Sequence, residues 1–363
     1  MMRRYSMTVT ESDKARNLRR DRSPRLGCRP LRPIVLAVIA ALATLACQDR
    51  GTKPATLQPL PRLYVANEGS NSITVIDPAT LKTVARVSTG AHPHNVNVDP
   101  LGRYFYVTNY HGDALQVFDV RTNSRLATVP MGRQPAHVVP DPSGKLLYVS
   151  SEGGTTLSAV TVPEFRTAEI YELKGNGPHG HVISPDGRFL LTPNSRSGNI
   201  SQVDLVDKKI DLISLPPGAK PVAMGLDRDG KSAYVSDAGL NQVHKIDLAA
   251  KTVSGSLSVG GRPIQVPVHP TRPVLYVPCM EDGTVYKIDL ENWKVEKAIP
   301  AGKGAHGIAY SPDGRFAYVT LTWEKPKGRV AVIDIENDRV LTTFEVEDSP
   351  NGIALLFGKN QGS

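Results

Sequence analysis

Tyr104-Phe105-Tyr106-Val107-Thr108-Asn109, closed by Tyr110-His111-Gly112-Asp113, decides the fold, because its centre, Tyr-Val-x-Asn, returns along the whole chain. Tyr64-Val65-Ala66-Asn67 precedes it, and Tyr148-Val149, Tyr234-Val235, Tyr276-Val277 and Tyr318-Val319 follow, with Leu190-Leu191 holding the missing place. The spacings are 42, 42, 42, 44, 42 and 42 residues. Aromatic and β-branched residues in a short run read as a strand. A fixed period of this length marks a repeat architecture, in which one unit cannot bury its apolar face without its neighbours.

Reading outward from this strand completes the unit. His94 to Val98 is a short alternating run before it, joined by the turn Asp99-Pro100-Leu101-Gly102. Leu115 to Val120 follows, Arg121-Thr122-Asn123 turns the chain, and Arg125 to Pro130 makes an outermost segment. Four strands in one period leave no room for a helix of ordinary length. The predicted fold is therefore all-β, a seven-bladed β-propeller with four antiparallel strands per blade. The first blade begins at its second strand near Arg62, and the segment from Asn351 to Phe357 has no blade of its own. That segment is expected to supply the inner strand of the first blade, which closes the ring and removes an exposed sheet edge.

This pattern resembles the YVTN family of seven-bladed propellers, over residues 61 to 357. The resemblance implies a fold more than a function. The family and its relatives include surface-layer proteins, periplasmic binding proteins, lactonases and haem-bearing or copper-bearing enzymes, so function must be argued from the site.

The chain is expected to divide into a leader (1–46), a flexible tether (47–60), the propeller (61–358) and a short tail (359–363). Arg25, Arg29 and Arg32 precede the apolar run from Ile34 to Ala46, which has the length of a signal-peptide core and is short for a membrane span. Thr44-Leu45-Ala46-Cys47 resembles a bacterial lipobox, which makes Cys47 the expected site of lipidation. Gln48 after it implies the outer membrane rather than the inner, so the expected place is the cell envelope, as a periplasm-facing or surface lipoprotein. The formal charge of +8 is misleading on this reading. Residues 1–47 hold ten Lys or Arg and three Asp or Glu, leaving 33 and 32 in the rest. A nearly neutral body with few aromatics and no basic run is not a nucleic-acid binder. With Cys28 and Cys47 in the leader and its cleavage site, Cys279 is the one remaining thiol, so no disulfide framework is expected.

Chemistry is expected where the inner strands begin, because those loops and the loops joining second to third strands open on one face. The inner strands begin Pro93-His94-Asn95, Pro135-Ala136-His137, Pro178-His179-Gly180-His181, Pro221-Val222-Ala223, Pro263-Ile264-Gln265, Ala305-His306-Gly307 and Pro350-Asn351-Gly352. His94, His137, His179, His181 and His306 are thus five of nine histidines gathered near one structural position, and they are the candidate metal ligands. An imidazole set suits copper or zinc. His111, Glu152, Cys279, Met280, Trp323 and Glu324 come from loops on the same face and are the candidate ligand-binding residues. The longer seventh-blade loop carrying Trp323 and Glu324 is expected to overhang the histidines.

Histidines converging from several blades resemble the copper site of the nitrous oxide reductase propeller. Pro178-His179-Gly180-His181 followed by Ser184-Pro185-Asp186-Gly187-Arg188-Phe189 is similar to the lactonase propellers. The expected function is an exported, lipid-anchored scaffold that binds a small-molecule ligand or protein partner, with copper or zinc at its channel mouth. The alternative is a periplasmic enzyme on the same fold, either a metal- or haem-dependent oxidoreductase or a lactonase-type hydrolase.

Overall fold

The computed structural model describes residues 61–357, so the leader, Cys47 and the tether lie outside the described residues. Among the described residues every regular element is a strand, and the strands form seven antiparallel sheets. The second blade shows the plan: Pro93–Val98 is innermost, followed outward by Tyr104–Asn109, Ala114–Asp119 and Arg125–Pro130. The C-terminal strand Pro350–Leu356 pairs with Arg62–Asn67 and becomes the inner strand of the first blade. Closure therefore joins the two ends of the repeat by an antiparallel ladder with one irregularity between Val65 and Asn67, as the orphan segment implied. Among the described residues no helix is long and apolar enough to cross a membrane.

The core is distributed rather than central. Seven apolar clusters lie among the described residues, one at each interface between neighbouring blades. The repeated tyrosine reaches from its own blade into the next. Tyr64 of the first blade stacks on Phe105 of the second at 4.6 Å, and Phe105 on Phe118 at 4.8 Å. Tyr64, Tyr106 and Tyr276 are wholly buried.

In the fourth blade this place is held by Leu191, not by Leu190. Phe189 pairs with Asp204 as Tyr104 pairs with Asp119, so Leu191 opposite Gln202 is the equivalent of Tyr106 opposite Val117. The period is thus even across this blade, 43 residues on either side of Leu191. The shorter side chain leaves the interface to the fifth blade less filled, and a cleft of about 930 Å³ opens there against Phe189, Leu191, Gln202 and Lys251.

Two polar devices recur. An Asp closing the third strand accepts backbone N–H groups from the turn that follows: Asp119 Oδ1 from Arg121 and Thr122, with Asp77, Asp204, Asp247, Asp289 and Asp334 doing the same in their blades. This is the Asx turn, in which a side chain replaces a backbone acceptor. The second device is a hydroxyl at the x of Tyr-Val-x. Thr108 Oγ1 accepts the Asn95 N–H at 3.1 Å and donates to Ala136 O of the next blade at 2.7 Å. Ser150, Ser236 and Thr320 repeat this bridge to His179 O, Ile264 O and Asn351 O.

The sixth blade departs from the plan. Its regular sheet has three strands, and its inner segment touches Val274–Cys279 through bridges at Pro263 and Val268. Pro267 has no N–H to give a ladder. The Tyr310 hydroxyl fills the gap, accepting the Tyr276 N–H at 3.1 Å and donating to Pro267 O at 3.1 Å.

Candidate functional site

The starts of the inner strands form a ring at one end of the channel. The residue just before six of the inner strands has a left-handed backbone: His92, Gln134, Gly177, Arg262, Gly304 and Ser349. Two residues on, the ring positions read Asn351, His94, Ala136, His179, Val222, Ile264 and His306 from the first blade to the seventh. The hydroxyl bridges end on four of these residues, so the contacts that join the blades also fix the ring. Gly352 lets the inner strands close tightly, since a Cβ there would sit 2.8 Å from Asn95 Cα.

Within this ring His94 and His179 project toward each other across Ala136, whose methyl leaves the space. Their Nε2 atoms are 3.2 Å apart. His137 lies one residue further down its strand, and the ligand atoms of His94, His137 and His179 all fall within 4.8 Å of one another.

The hydrogen bonds around the rings decide their tautomers. His179 Nδ1 is 2.9 Å from Val222 O, and a carbonyl only accepts, so Nδ1 carries the hydrogen. His94 Nδ1 is 2.7 Å from Glu68 Oε1. Burial pushes the Glu68 carboxyl up, but the His94 hydrogen bond and the surrounding imidazoles outweigh it and hold the group below its ordinary value. Glu68 is therefore a carboxylate, and His94 Nδ1 donates to it. With both rings neutral, the two Nε2 atoms present lone pairs to each other at hydrogen-bond distance. Two acceptors so placed need a proton or a cation between them.

Burial favours neutral rings at His137, His179 and His306, against the pull of Glu152 on His179 and of Glu68 on His306. Burial, followed by the fields of His179 and His94, holds His137 well below its ordinary value. Burial likewise lowers His179, and it lowers His306 to about 3. Neutral imidazole is the form that coordinates a metal. Glu152 stands at the edge of the cluster, with Oε2 3.8 Å from His179 Nε2 and accepting the Tyr110 hydroxyl at 3.0 Å. Burial raises the Glu152 carboxyl, but the His179 and His94 fields bring the net value below the ordinary one.

The remaining candidates divide. His306 is buried beside His94, at a ring separation of 6.5 Å, and its Nδ1 has no hydrogen-bond partner among the described residues. Met280 lines the mouth. His181 does not join the cluster: its Nε2 faces Tyr148 O at 3.0 Å and burial lowers it to about 4; like His137 it also lines the inner channel. Cys279 is wholly buried, its thiol pushed up by burial and turned to Val277 O, so it packs and does not face the mouth. His111 is an exposed residue packed on His92 at 4.3 Å. The seventh-blade loop sits beside the mouth and does not overhang it. Trp323 is 43% exposed, and Glu324 accepts the Lys303 N–H at 3.0 Å, while neither lines the cavity.

Glu68, which the loops joining second to third strands bring to this face, sets the His94 tautomer. Two contributors escape a reading by residue type: Ala136 makes room for the Nε2 pair, and Ser150 holds the His179 backbone. The x of Tyr-Val-x, a hydroxyl in four blades, is the signal that would have found Ser150.

Comparison with known proteins agrees on the fold. The family model described as Lactonase, 7-bladed beta-propeller matches residues 60–129. Antigen Lp49 of Leptospira interrogans is 29% identical over 194 residues, 47% of this chain and 41% of its own length. The chain thus spans about two fifths of that curated relative. Among solved structures, Kuenenia stuttgartiensis hydrazine synthase superposes with a TM-score of 0.68 at 21% identity, covering 78% of this chain and 98% of that one. The dihydro-heme d1 dehydrogenase NirN, solved in complex with DHE, gives a TM-score of 0.62 at 15% identity, over 82% of this chain and 75% of its own. At these identities the likeness is one of fold.

Proposed function

We propose that this seven-bladed propeller is an exported, lipid-anchored binding protein that holds a zinc or copper ion at its channel mouth through His94, His137 and His179. The observation that carries the reading is the pair of facing Nε2 atoms, 3.2 Å apart, which the Glu68 and Val222 contacts to Nδ1 leave as lone pairs in the neutral rings. Two nitrogens bound to one tetrahedral ion at zinc–nitrogen distances lie about 3.3 Å apart. His137 completes the set by a rotation of a ring that no side-chain hydrogen bond holds among the described residues. Glu68 stands behind His94 as a carboxylate commonly stands behind a ligating histidine.

Elemental analysis of the mature protein, purified without a tag from cells supplied with zinc and copper, tests the reading. One ion per chain is expected, falling to background when His94 and His179 are both replaced by Ala in a protein that still melts cooperatively. A metal-free wild type that takes up neither ion on titration would mean that a shared proton, not a metal, bridges the pair. Palmitate labelling that disappears in Cys47→Ser tests the anchor, which rests on the lipobox-like Leu45-Ala46-Cys47.

A hydrolase on the same fold is the second reading, and Glu152 favours it. Its carboxylate, 3.8 Å from His179 Nε2, would serve as a general base beside an ion held by His94, His137 and His179, which would supply Lewis acidity there. Turnover of a lactone that requires the metal and disappears in Glu152→Gln would select this reading over a binding role.

A further inference from the structure

We infer that the channel mouth takes an organic dicarboxylate, one carboxylate at the histidine cluster and the other on a cationic arc formed by Arg196, Lys220 and Arg262; the histidine end rests on the metal reading above. The mouth is a cavity of about 930 Å³, and its chemistry is divided. Glu68, Glu152 and the histidines occupy one side. Lys220 and Arg262 of the fifth and sixth blades line the other, and Arg196 of the fourth blade stands at the border, where its charge also helps to lower the Glu152 carboxyl. Between the two lie Val222 and Ile264, apolar at the ring positions that hold His94, His179 and His306 elsewhere.

The acids and the cations differ in how they are satisfied. Glu68 and Glu152 are each within 4 Å of a histidine nitrogen. Among the described residues, none of the three cations has a carboxylate partner in the mouth. Arg196 reaches Gln134 Oε1 at 3.4 Å, a neutral acceptor. With a divalent ion on the histidines, three cations against two carboxylates leave the mouth in positive excess. Like charges around a concavity repel, and an anion inside it relieves that repulsion. A carboxylate can complete the coordination of the ion, a second can pair bidentately with a guanidinium, and the Val222–Ile264 side accommodates methylenes between them.

Calorimetric titration of the mature protein with the linear dicarboxylates from succinate to sebacate, alongside the corresponding diamides and monocarboxylates, tests this. One chain length is expected to bind at least about tenfold more tightly than its monocarboxylate, with affinity falling as salt is raised, and the diamides are expected not to bind. Replacing Arg196, Lys220 and Arg262 together by Gln, all exposed positions, should weaken that binding at least about tenfold while metal content stays at one ion per chain. Equal binding of acid and diamide, equal binding by the triple variant, or no binding across the series would overturn the proposal. If the protein carries no metal, the metal reading fails on its own, and the same titration still judges the arc: binding lost in the triple variant upholds the arc and removes the histidine end, and binding that is absent or unchanged sinks the whole.

Discussion

Glu68 and Val222 each remove one degree of chemical freedom from a histidine, and the site depends on both. Were Nδ1 free on either ring, the facing Nε2 could carry the hydrogen and the pair would close as an ordinary hydrogen bond. Glu68→Gln is therefore expected to weaken metal binding about 10- to 100-fold, read by competition with a chromophoric chelator; unchanged affinity would show that the His94–Glu68 contact does not orient the ring. Buried neutral histidines also set the acid stability of the metal-free protein. A histidine whose folded-state pKa lies below its unfolded value gains its proton on unfolding, so acid favours the unfolded chain. Stability should fall as pH drops below about 6.5, by about 1.4 kcal/mol per pH unit per histidine, until the folded values of about 4 for His181 and about 3 for His306 are reached. His306→Gln should lose less stability than wild type between about pH 7 and pH 5, measured by urea unfolding at each pH. Equal slopes would mean that His306 titrates in the folded protein as it does in the unfolded chain.

The strand ending Tyr-Val-x carries three duties in consecutive residues. Its tyrosine fills the interface to the next blade, its valine or equivalent packs the core, and its hydroxyl, where present, ties the next inner strand. Tyr276 adds a hydrogen bond from its hydroxyl to Asp338 Oδ1. Tyr276→Leu should cost about 2–5 kcal/mol from the lost volume and the stranded partner. Leu191→Tyr, beside a cleft, should cost less than the about 1–3 kcal/mol of overpacking a filled core. Chemical denaturation of both variants decides it; a large loss in the second would mean that the fourth blade has repacked around leucine. The positions of the turns and the period were legible because they are local and repeat. The sixth-blade inner segment was not, since the Tyr310 hydroxyl that replaces its ladder lies 43 residues away.

For the whole ring, stability depends on closure. The strand Pro350–Leu356 supplies the inner edge of the first blade and brings Ile353 into the apolar cluster shared with the seventh. A chain ending at Ser349 leaves Arg62–Asn67 as a free apolar edge, loses Asn351 from the ring, and should melt without a cooperative transition and aggregate. Calorimetry and size exclusion check this, and a cooperative, monomeric truncation would show that the seven interfaces are nearly independent. The same ring geometry makes the site, because residues separated by a repeat length become neighbours around one axis.

By itself the sequence determined the repeat, the number of blades, the closing strand and the face on which histidines gather. Those follow from turn chemistry, strand propensity and a constant period, all of which act over a few residues. Only the tertiary structure decided which histidines meet. His94, His137 and His179 converge, His181 turns to the Tyr148 carbonyl, and Cys279 and Trp323 leave the mouth altogether. Convergence depends on distances across the ring, on the size of Ala136 between two imidazoles and on which carbonyl or carboxylate each Nδ1 finds. None of these is a property of one repeat, and all of them come from how seven repeats close.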